Sequence, residues 1–210
     1  MVCGKPLIGW TIEVASNIQE IDRLIVSTDS EEIASISKEF GAEVPFLRPD
    51  EISTDESMDY DVFHHLISWL EKKERYYPDI VIWLRPTSPL RSMLDILSVV
   101  RLIQDNPFCC VRSITKAEHH PYWMKKISGD VLLPLCPNKS EKEYPRRQLL
   151  PDVYYLNGAV DAFWVNEAEK NGALFQEKMI GYEMPIERSI DIDTELDLKI
   201  AHLLLKEKRL

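Results

Sequence analysis

Four acidic residues lie within seven positions near the end of the chain, in the stretch ERSIDIDTELDLKIA. Successive side chains of an extended strand point to opposite faces, so Asp191 and Asp193 are expected on one side and their isoleucine neighbours on the other. Two carboxylates on one face form a hard oxygen site suited to Mg²⁺, which shares its coordination shell with water and phosphates. A solvated loop before a helix is the alternative, and the spacing alone leaves both interpretations open.

The second half of this acidic cluster has the pattern of a helix start. Thr194 is a good N-cap, and the tetrapeptide TELD resembles a capping box in which Asp197 replaces glutamate. The pattern predicts a helix from Glu195 to Lys208, whose basic last turn suits the negative end of the helix dipole. The cluster is therefore expected to divide at Thr194 into a metal site and a helix cap, and the C-terminus is expected to be complete.

A proline-bounded loop, WLRPTSPLR, follows the most apolar strand pattern in the chain. Ligands of open parallel sheets bind beyond the carboxyl ends of the strands, where this loop is expected to lie. Thr87 and Ser88 offer hydroxyl groups there. Arg85 and Arg91 offer charged donors suited to a base edge or a phosphate. A rigid strand-to-helix connection, with Ser92 as the helix N-cap, is the alternative.

The stretch YPRRQLLPDVYYLNGA carries a second set of polar candidates. Two adjacent arginines, Arg146 and Arg147, could grip a carboxylate with two hydrogen bonds. Gln148 and Asn157 could bind hydroxyl or amide groups. A solvated basic turn, followed by an Asn-Gly turn between two strands, fits the same pattern.

The overall composition excludes several classes of partner. Of the 210 residues 45% are hydrophobic and 29% are charged, and no apolar run reaches membrane-spanning length. The net charge of -10 argues against non-specific nucleic-acid binding. We therefore expect neither a nucleic acid nor a membrane as a partner. The four cysteines have no metal-binding spacing and are expected to be reduced thiols of a cytoplasmic protein.

Alternating strand and helix patterns predict the fold class. Short apolar runs predict strands at 24–26, 42–47, 79–84 and 108–113, with helices before and between them. This alternation predicts a doubly wound α/β fold with a mainly parallel sheet. Strand patterns resume at 153–156 and 159–165, on either side of Asn157-Gly158. The chain is therefore expected to be a single domain over residues 1–210.

Residues 116–152 depart from this alternation. They include five prolines, several aromatic residues and short strand-like pieces. Such a stretch is expected to leave the sheet as an inserted arm rather than to form a separate domain.

Taken together, these stretches resemble the acylneuraminate cytidylyltransferases, which make CMP-sialic acid and related CMP-sugars. The matching pieces, in the family's order, are GKPLIGWTIEVA, LIVSTDSEEIA, FGAEVPFLRPDEIS, WLRPTSPLR, HPYWMKKI, RRQLLPDVYYLNGA and SIDIDTELDLKIA. They cover nearly the whole chain, and the resemblance to the CMP-Kdo synthetases is weaker. The resemblance implies a nucleotide-diphospho-sugar transferase-like variant of the Rossmann fold. It also implies transfer of CMP from CTP to the anomeric hydroxyl of a nine-carbon 2-keto acid sugar, with release of pyrophosphate.

The resemblance further implies roles for individual residues. Asp191 and Asp193 would hold Mg²⁺ on the triphosphate side of the site. The nucleotide would be contacted by residues of two loops, namely Arg48, Ser57, Arg85, Thr87 and Ser88. The sugar would be recognised by Arg147, Gln148 and Asn157. The 116–152 arm would join two chains into a homodimer.

Two departures from the family pattern bear on activity. Family members often carry glutamine at the position of Arg85. The family also begins with a strand and a phosphate-cradling loop rich in Gly, Lys and Arg, whereas only three residues precede Gly4 here. The sequence therefore predicts that this strand and loop are absent, which would remove transition-state stabilisation worth about 3 kcal/mol or more per donor group.

Three interpretations of the function remain open at this level. The chain is a cytidylyltransferase, or a fragment of one, that activates sialic acid or a close relative. Alternatively, it is a catalytically inactive relative that binds a nucleotide, a sugar or a partner protein. The third interpretation is an enzyme for another sugar acid, such as Kdo, pseudaminic acid or legionaminic acid.

Overall fold

The computed structural model describes residues 1–137, 139 and 142–207. Helices and strands alternate along this part of the chain. The helices are α1 (Leu7–Ser16), α2 (Glu31–Glu39), α3 (Asp59–Glu74), α4 (Met93–Asp105), α5 (Val165–Asn171) and α6 (Glu195–Glu207). The strands are β1 (Ile80–Trp83), β2 (Cys110–Lys116), β3 (Lys125–Ser128), β4 (Val131–Pro134), β5 (Tyr154–Trp164) and β6 (Met179–Glu183).

The main sheet has four strands in the order β1-β5-β2-β6. Strand β5 is antiparallel to both of its neighbours, β1 and β2, whereas β6 is parallel to β2. Three of the four strands therefore run in one direction, and β5 runs against them. The predicted α/β class is confirmed, with a mainly parallel strand arrangement and one reversed strand.

Apolar side chains alternate between two layers, one on each face of the sheet. Ile80 and Ile82 of β1 pack with α1 and α4. Val81 and Trp83 of the same strand pack with α3 and α5 on the other face. Helices thus cover both faces of the sheet, which is the doubly wound arrangement that the sequence predicts.

Strand β5 is continuous over 11 residues, so the predicted pair of strands around Asn157-Gly158 is wrong. The register against β2 shifts between Arg112 and Ile114, and Gly158 has a φ of 64°. Glycine adopts this left-handed conformation without the strain that a Cβ would cause. The chain therefore bulges within the strand at this point instead of turning back.

The predicted strands at 24–26 and 42–47 are reduced to one parallel bridge, between Ile25 and Glu43. Neither segment joins the four-stranded sheet among the described residues, and β1 forms an edge of that sheet rather than its centre. Residues 1–5 form a turn in which Val2 and Lys5 are bridged. They add no strand to the main sheet in this part of the structure.

Helix α4, which follows the WLRPTSPLR loop, begins with a capping box. Ser92 accepts from the N–H of Asp95 (3.3 Å), and Asp95 accepts from the N–H of Ser92 (2.8 Å), so the predicted N-cap is confirmed. Asp95 is fully buried and also accepts from Arg188 (2.8 and 3.0 Å) and from the Tyr182 hydroxyl (3.0 Å). Burial opposes ionisation of Asp95, but the donors from Arg188 and Ser92 hold its pKa below the usual range. This carboxylate therefore anchors the end of the loop.

We expect Asp95→Asn to lower the free energy of unfolding by about 3 kcal/mol at pH 7, because Arg188 would remain charged without an ionised partner. Folding lowers the pKa of Asp95, so its ionisation stabilises the fold above the unfolded carboxyl pKa. That contribution is lost as the pH falls through the lower pKa of the folded state. Urea unfolding should therefore show the difference from the parent shrinking below about pH 4. A difference that is constant down to about pH 2 would contradict this role of the carboxylate.

The predicted arm, 116–152, leaves the main sheet as an exposed hairpin. Strands β3 and β4 pair with each other, and every residue of both strands is exposed. Ile127 is 77% exposed and Leu132 is 65% exposed. An isolated two-stranded hairpin is at best marginally stable in water. The described residues of this chain leave its apolar side chains uncovered.

Two further sequence expectations concern membranes and thiols. No helix among the described residues is long and apolar enough to cross a membrane. All four cysteines are free, and Cys110 is buried in β2. Cys109 lies immediately before that strand, so the strand predicted at 108–113 begins two residues later, at Cys110.

Candidate active site

The acidic segment lies directly against the WLRPTSPLR loop. The backbone N–H of Ile192 donates to the carbonyl of Thr87 at 2.9 Å. Ile190 and Ile192 pack into one apolar cluster with Val2 and with Leu90 of the same loop. The segment is not part of a strand, but its isoleucines share one side as the alternation predicts. Two stretches that are far apart in the sequence therefore form a single site.

The carboxylate of Asp191 faces this site and is incompletely satisfied. Its Oδ2 atom and the Nη1 atom of Arg85 both lie 3.8 Å from the position that a Cβ on Gly158 would occupy. Its Oδ1 atom is buried and accepts no hydrogen bond from a described residue. A buried carboxylate oxygen without a partner is costly unless a cation or a donor satisfies it. Asp191 is therefore the strongest candidate for a metal ligand in this site.

Asp193, the second predicted metal ligand, is exposed at the edge of the same segment. No three His, Cys, Asp or Glu side chains among the described residues are grouped so that they could hold a metal ion. A magnesium ion held by Asp191 and Asp193 would thus take two protein carboxylates and complete its shell with water and phosphate oxygens. Mg²⁺ is commonly held in this way, so the residues present fit the ion.

The remaining acids of the cluster start helix α6. Asp197 accepts from the N–H (2.8 Å) and the hydroxyl (2.7 Å) of Thr194, which in turn accepts from the N–H of Asp197 (3.3 Å). The side-chain bond from Thr194, together with its backbone N–H, lowers the pKa of Asp197. The predicted cap and the start at Glu195 are confirmed, and the predicted end at Lys208 lies outside the described residues.

Arg91 is buried beneath the loop and holds its shape. Its Nε donates to the carbonyl of Ser88 (3.1 Å), and its Nη2 donates to the carbonyl of Arg85. Burial lowers the pKa of Arg91 to about 9, and the negative charge of Asp191 opposes that shift. The Nη1 atom of Arg91 and the buried hydroxyl of Ser88 have no hydrogen-bond partner in the described part of the chain. With Oδ1 of Asp191, they make three unsatisfied polar groups in the joined loop and acidic segment.

Arg85 is shared between two carboxylates of very different exposure. Its Nη2 donates to Asp59 (2.6 Å), whose side chain is 47% exposed. Its Nη1 donates to Asp161 (3.0 Å), which is completely buried on β5. Asp161 also accepts twice from Arg112 of β2, at 3.2 Å each, and the Arg112 guanidinium lies 3.9 Å from the ring centre of Phe175. Asp161 thus joins two strands to the loop.

Asp161 is not among the residues predicted from the sequence, although its context carries a signal. It is the only charged residue in the apolar strand stretch GAVDAFW. A charged side chain in a strand that is covered on both faces must be paired, because burying an isolated charge is very costly. That argument identifies Asp161 as a paired residue but does not name its partners.

Two of the predicted sugar-binding residues, Arg147 and Gln148, line a second cavity of about 280 Å³ at the base of the arm. Lys116 and His120 line the same cavity, and Lys116 pairs with Asp152 at 2.5 Å. His120 is 6% exposed, and its Nε2 atom has no partner among the described residues. Glu118 and Asp152 also line it, so the cavity combines two basic and two acidic side chains with an unsatisfied ring nitrogen, which suits a polar, hydroxyl-bearing ligand.

The third predicted sugar-binding residue, Asn157, is buried and fully engaged within the protein. Its Oδ1 accepts from the Ser113 hydroxyl (2.5 Å) and from the N–H of Ala159 (3.2 Å). Its Nδ2 donates to the Ser189 hydroxyl (2.8 Å). These bonds tie β5 to β2 and to the segment before the acidic cluster. The amide has no free group toward the second cavity here, and its contact with a sugar stays a prediction.

Arg48 and Ser57, the predicted secondary nucleotide contacts, belong to the loop region before α3. Arg48 donates to Ser53 (2.9 Å) and to Asp29 (3.4 Å). The Ser57 hydroxyl accepts from the N–H of Thr54 (2.9 Å). These bonds shape the loop, and the nucleotide contacts of both residues stay predictions.

The chain resembles known cytidylyltransferases in sequence. Residues 2–131 match a family model described as Cytidylyltransferase. Over 99% of its length the chain is 29% identical to an N-acylneuraminate cytidylyltransferase of Escherichia coli, of which it spans 48%. Over 98% of its length it is 30% identical to a CMP-N,N'-diacetyllegionaminic acid synthase of Legionella pneumophila, of which it spans 88%. The chain thus spans about half the length of one relative and most of the other.

The fold resembles a solved nucleotide-sugar synthetase. The structure of a CMP:2-keto-3-deoxy-manno-octonic acid synthetase complexed with CTP has a TM-score of 0.67, at 16% identity, and the match covers 99% of this chain and 90% of that one. At this identity the likeness establishes the fold alone. The family model covers more than half of the chain, and one relative reaches 30% identity over most of its own length. The chain therefore belongs to the cytidylyltransferase family.

Proposed function

We propose that the chain transfers CMP from CTP to the anomeric hydroxyl of a nonulosonic acid, a nine-carbon 2-keto acid sugar such as sialic acid, and releases pyrophosphate. One observation carries the proposal. The hydrogen bond from Ile192 to Thr87 brings the unsatisfied carboxylate of Asp191 against a loop of arginine and hydroxyl groups. Phosphoryl transfer relies on this kind of positioning and charge neutralisation more than on covalent chemistry by the protein.

In this proposal Asp191 and Asp193 hold Mg²⁺. When bound, the ion would neutralise charge on the triphosphate and help to orient the reacting phosphate. The contribution of the chain is to keep Asp191 in place. The carbonyl of Thr87 fixes the backbone beside it, and Arg91 supplies a buried positive charge.

The nucleotide would lie along the loop that carries Thr87 and Ser88. The buried hydroxyl of Ser88 is available as a hydrogen-bonding group. The guanidinium of Arg85 is already paired on two sides, and 29% of its side chain is exposed, so it would contact the base with its remaining surface. Arg48 and Ser57 would approach the nucleotide from the neighbouring loop.

The sugar would be recognised at the second cavity, at the base of the arm. Arg147 suits the carboxylate of a 2-keto acid sugar, and Gln148 and His120 suit its hydroxyl groups. Asn157 would act by holding the bulge of β5, next to Arg85 and Asp191. Relatives with different sugar names match at similar identity, so the proposal is limited to the class of nonulosonic acids.

Pyrophosphate release tests the proposed function directly. The 210-residue chain is incubated with CTP, Mg²⁺ and, in parallel, sialic, legionaminic, pseudaminic and Kdo substrates. Release with a nine-carbon acid supports the proposal and identifies the sugar. Release with Kdo alone would show that the substrate is Kdo and not a nonulosonic acid. Folded protein that binds CTP but releases no pyrophosphate with any acid would overturn the proposal in favour of an inactive relative.

We expect Arg147→Ala to raise the KM for the sugar about tenfold or more, because a charge-assisted pair with the carboxylate is lost. The KM for CTP should stay nearly constant. Arg146→Ala is the matched control, because Arg146 is the adjacent exposed arginine and does not line the cavity. Steady-state kinetics with each substrate varied in turn separate these effects. A change confined to the KM for CTP would contradict the assignment.

We also propose that the arm joins two chains into a homodimer. The exposed apolar side chains of β3 and β4 support this role, since a hairpin of this kind needs a covering surface. Leu132→Asp should shift the chain to monomers in analytical ultracentrifugation. Leu203→Asp, at an equally exposed leucine on α6, should leave the dimer intact. A parent chain that is already monomeric at high concentration would refute the proposal.

A cytoplasmic location completes this proposal. All four cysteines are free thiols, which is the usual state in a reducing compartment. CTP is also a substrate that this compartment would supply.

A further inference from the structure

The segment that carries Asp191 has little backbone support. Residues 185–194 lie between β6 and α6, and their regular structure is one short 3-10 turn, Ile186–Arg188. Among the described residues, one backbone hydrogen bond joins 185–194 to another element, from the N–H of Ile192 to the carbonyl of Thr87. That bond lies after Asp191. The position of the chain before Asp191 therefore depends on side-chain contacts.

Arg188, three residues before Asp191, joins the segment to helix α4. Its Nη2 and Nε atoms donate to the two carboxylate oxygens of Asp95, at 2.8 and 3.0 Å. A guanidinium that binds both oxygens of one carboxylate is fixed in direction as well as in distance. Asp95 is fully buried in the capping box of α4, and this helix begins at the end of the WLRPTSPLR loop. Arg188 therefore fixes the acidic segment relative to that loop.

Ser189, the next residue, joins the segment to the bulge of β5. Its hydroxyl accepts from Nδ2 of Asn157 (2.8 Å) and donates to the carbonyl of Pro185 (2.9 Å). Ser189 and Asn157 are both buried, so water does not compete for their bond. Asn157 precedes Gly158, and a Cβ on Gly158 would lie 3.8 Å from Oδ2 of Asp191. Ser189 therefore fixes the segment relative to the part of β5 that Asp191 faces.

These two contacts act through geometry and not through net charge. The positive charge of Arg188 is matched by Asp95, whose side chain is completely buried. Ser189 and Asn157 are both neutral. The contacts therefore affect a bound cation mainly through the place that they give to Asp191. Mg²⁺ demands near-octahedral geometry at short distances, so a displaced carboxylate would bind it less tightly.

We propose that Arg188 and Ser189 are positioning residues, which hold the carboxylate of Asp191 in place for a divalent cation. Together with the bond from Ile192 to Thr87, they fix the segment on both sides of Asp191. The inference deepens the proposed function, because it rests on the metal role that Asp191 has there. Residues that support a metal ligand from outside commonly change metal affinity or activity by about 10–100-fold.

The dependence of CTP binding on Mg²⁺ tests this role without turnover. Isothermal titration calorimetry measures the Kd of the full chain for CTP in EDTA and in excess Mg²⁺, with no sugar present. The ratio of the two Kd values reports the contribution of the metal, because Mg²⁺ pairs with free CTP equally in every experiment. We expect Arg188→Gln to reduce this ratio about tenfold and Ser189→Ala to reduce it at least about threefold. The Kd in EDTA should stay within about twofold of the parent value, since no metal is bound there.

A conservative variant separates geometry from charge. Arg188→Lys keeps the positive charge beside Asp95, but an ammonium cannot bind both carboxylate oxygens in a fixed fork. We expect its ratio to lie between those of the parent and of Arg188→Gln. A ratio equal to that of the parent would mean that charge alone suffices, which would overturn the positioning role of Arg188. Ser189→Ala leaves the Asp95 pair intact, so it tests the proposal even where Arg188→Gln does not fold.

Two control variants remove comparable hydrogen bonds that do not reach the acidic segment. Tyr182→Phe removes a hydroxyl that donates to Asp95 at 3.0 Å and leaves the pair with Arg188 in place. Ser37→Ala removes another buried serine, whose hydroxyl donates to the carbonyl of Ile33 in α2 at 2.7 Å. Both variants should melt at a slightly lower temperature and keep the ratio within about twofold of the parent. A ratio that follows the melting temperature in all variants, these controls included, would overturn the inference.

The positioning role and the proposed function fail in different ways. If Mg²⁺ tightens CTP binding but the parent chain releases no pyrophosphate with any sugar, the transferase proposal fails and the positioning role stands. If the Arg188 and Ser189 variants keep the full effect of Mg²⁺, the positioning role fails and the transferase proposal stands. A parent chain whose CTP affinity does not respond to Mg²⁺ would overturn the positioning role, because there would be no metal site to support.

Discussion

The Asp191→Asn variant is expected to release pyrophosphate at least about 100-fold more slowly than the parent chain, because it loses the carboxylate that we propose as a ligand of Mg²⁺ at the triphosphate. Asparagine preserves the size of the side chain and leaves the backbone bond from Ile192 to Thr87 intact. The loss should appear in kcat with all substrates saturating. The rise in melting temperature that Mg²⁺ and CTP produce together should also disappear, which measures metal binding without turnover.

The matched control for this prediction is Asp197→Asn. It removes the same charge from the same acidic segment, but Asp197 caps α6 through Thr194. Its kcat should stay within about threefold of the parent, and its melting temperature should fall slightly. Equal losses of kcat in the two variants would mean that the segment acts only through its overall charge. The division of the cluster at Thr194 would then be wrong.

Sequence patterns predict the parts of this site better than their assembly. The capping box at Thr194 and the N-cap at Ser92 are local, because each depends on residues three positions apart on one helix turn. The contact between Ile192 and Thr87 joins segments that have no local relation. Only the fold brings them together. The roles of Arg91 and Asp161 are of the same kind, since each is defined by burial and by partners on other elements.

For the fold too, sequence patterns predict single elements better than the pairing between them. Helix caps and apolar runs predict the helices and the α/β class, because these signals come from a single element. The reversed direction of β5 depends on pairing with β1 and β2, which no local pattern encodes. Asn157-Gly158 has the composition of a tight turn, but Asn157 is drawn into bonds with Ser113 and Ser189 and the strand continues. Tertiary hydrogen bonds thus override the local preference for a turn.

Asp161→Asn is expected to lower the free energy of unfolding by about 3–4 kcal/mol, the largest stability effect that we expect. The carboxylate is fully buried and holds Arg85 and Arg112 together. Neutralising it would leave two guanidinium groups close together, with the exposed carboxylate of Asp59 as a partner for Arg85 alone. Arg112 would keep its contact with the ring of Phe175 and Arg85 its bond to Asp59, so each guanidinium would lose its buried ionised partner. Urea unfolding, followed by circular dichroism, measures the change.

The matched comparison for Asp161 is Asp59→Asn, which removes the other carboxylate that pairs with Arg85. Asp59 accepts from Arg85 at 2.6 Å, the shorter of the two distances, but its side chain is 47% exposed. Water and salt screen an exposed pair, so its loss should cost at most about 1 kcal/mol. If bond length governed the energy, Asp59→Asn would be the more damaging variant. If burial governs it, as we expect, Asp161→Asn will be clearly less stable and the loop beside Asp191 will lose its anchor. Equal effects of the two variants would contradict the view that Arg85 is held mainly from the core.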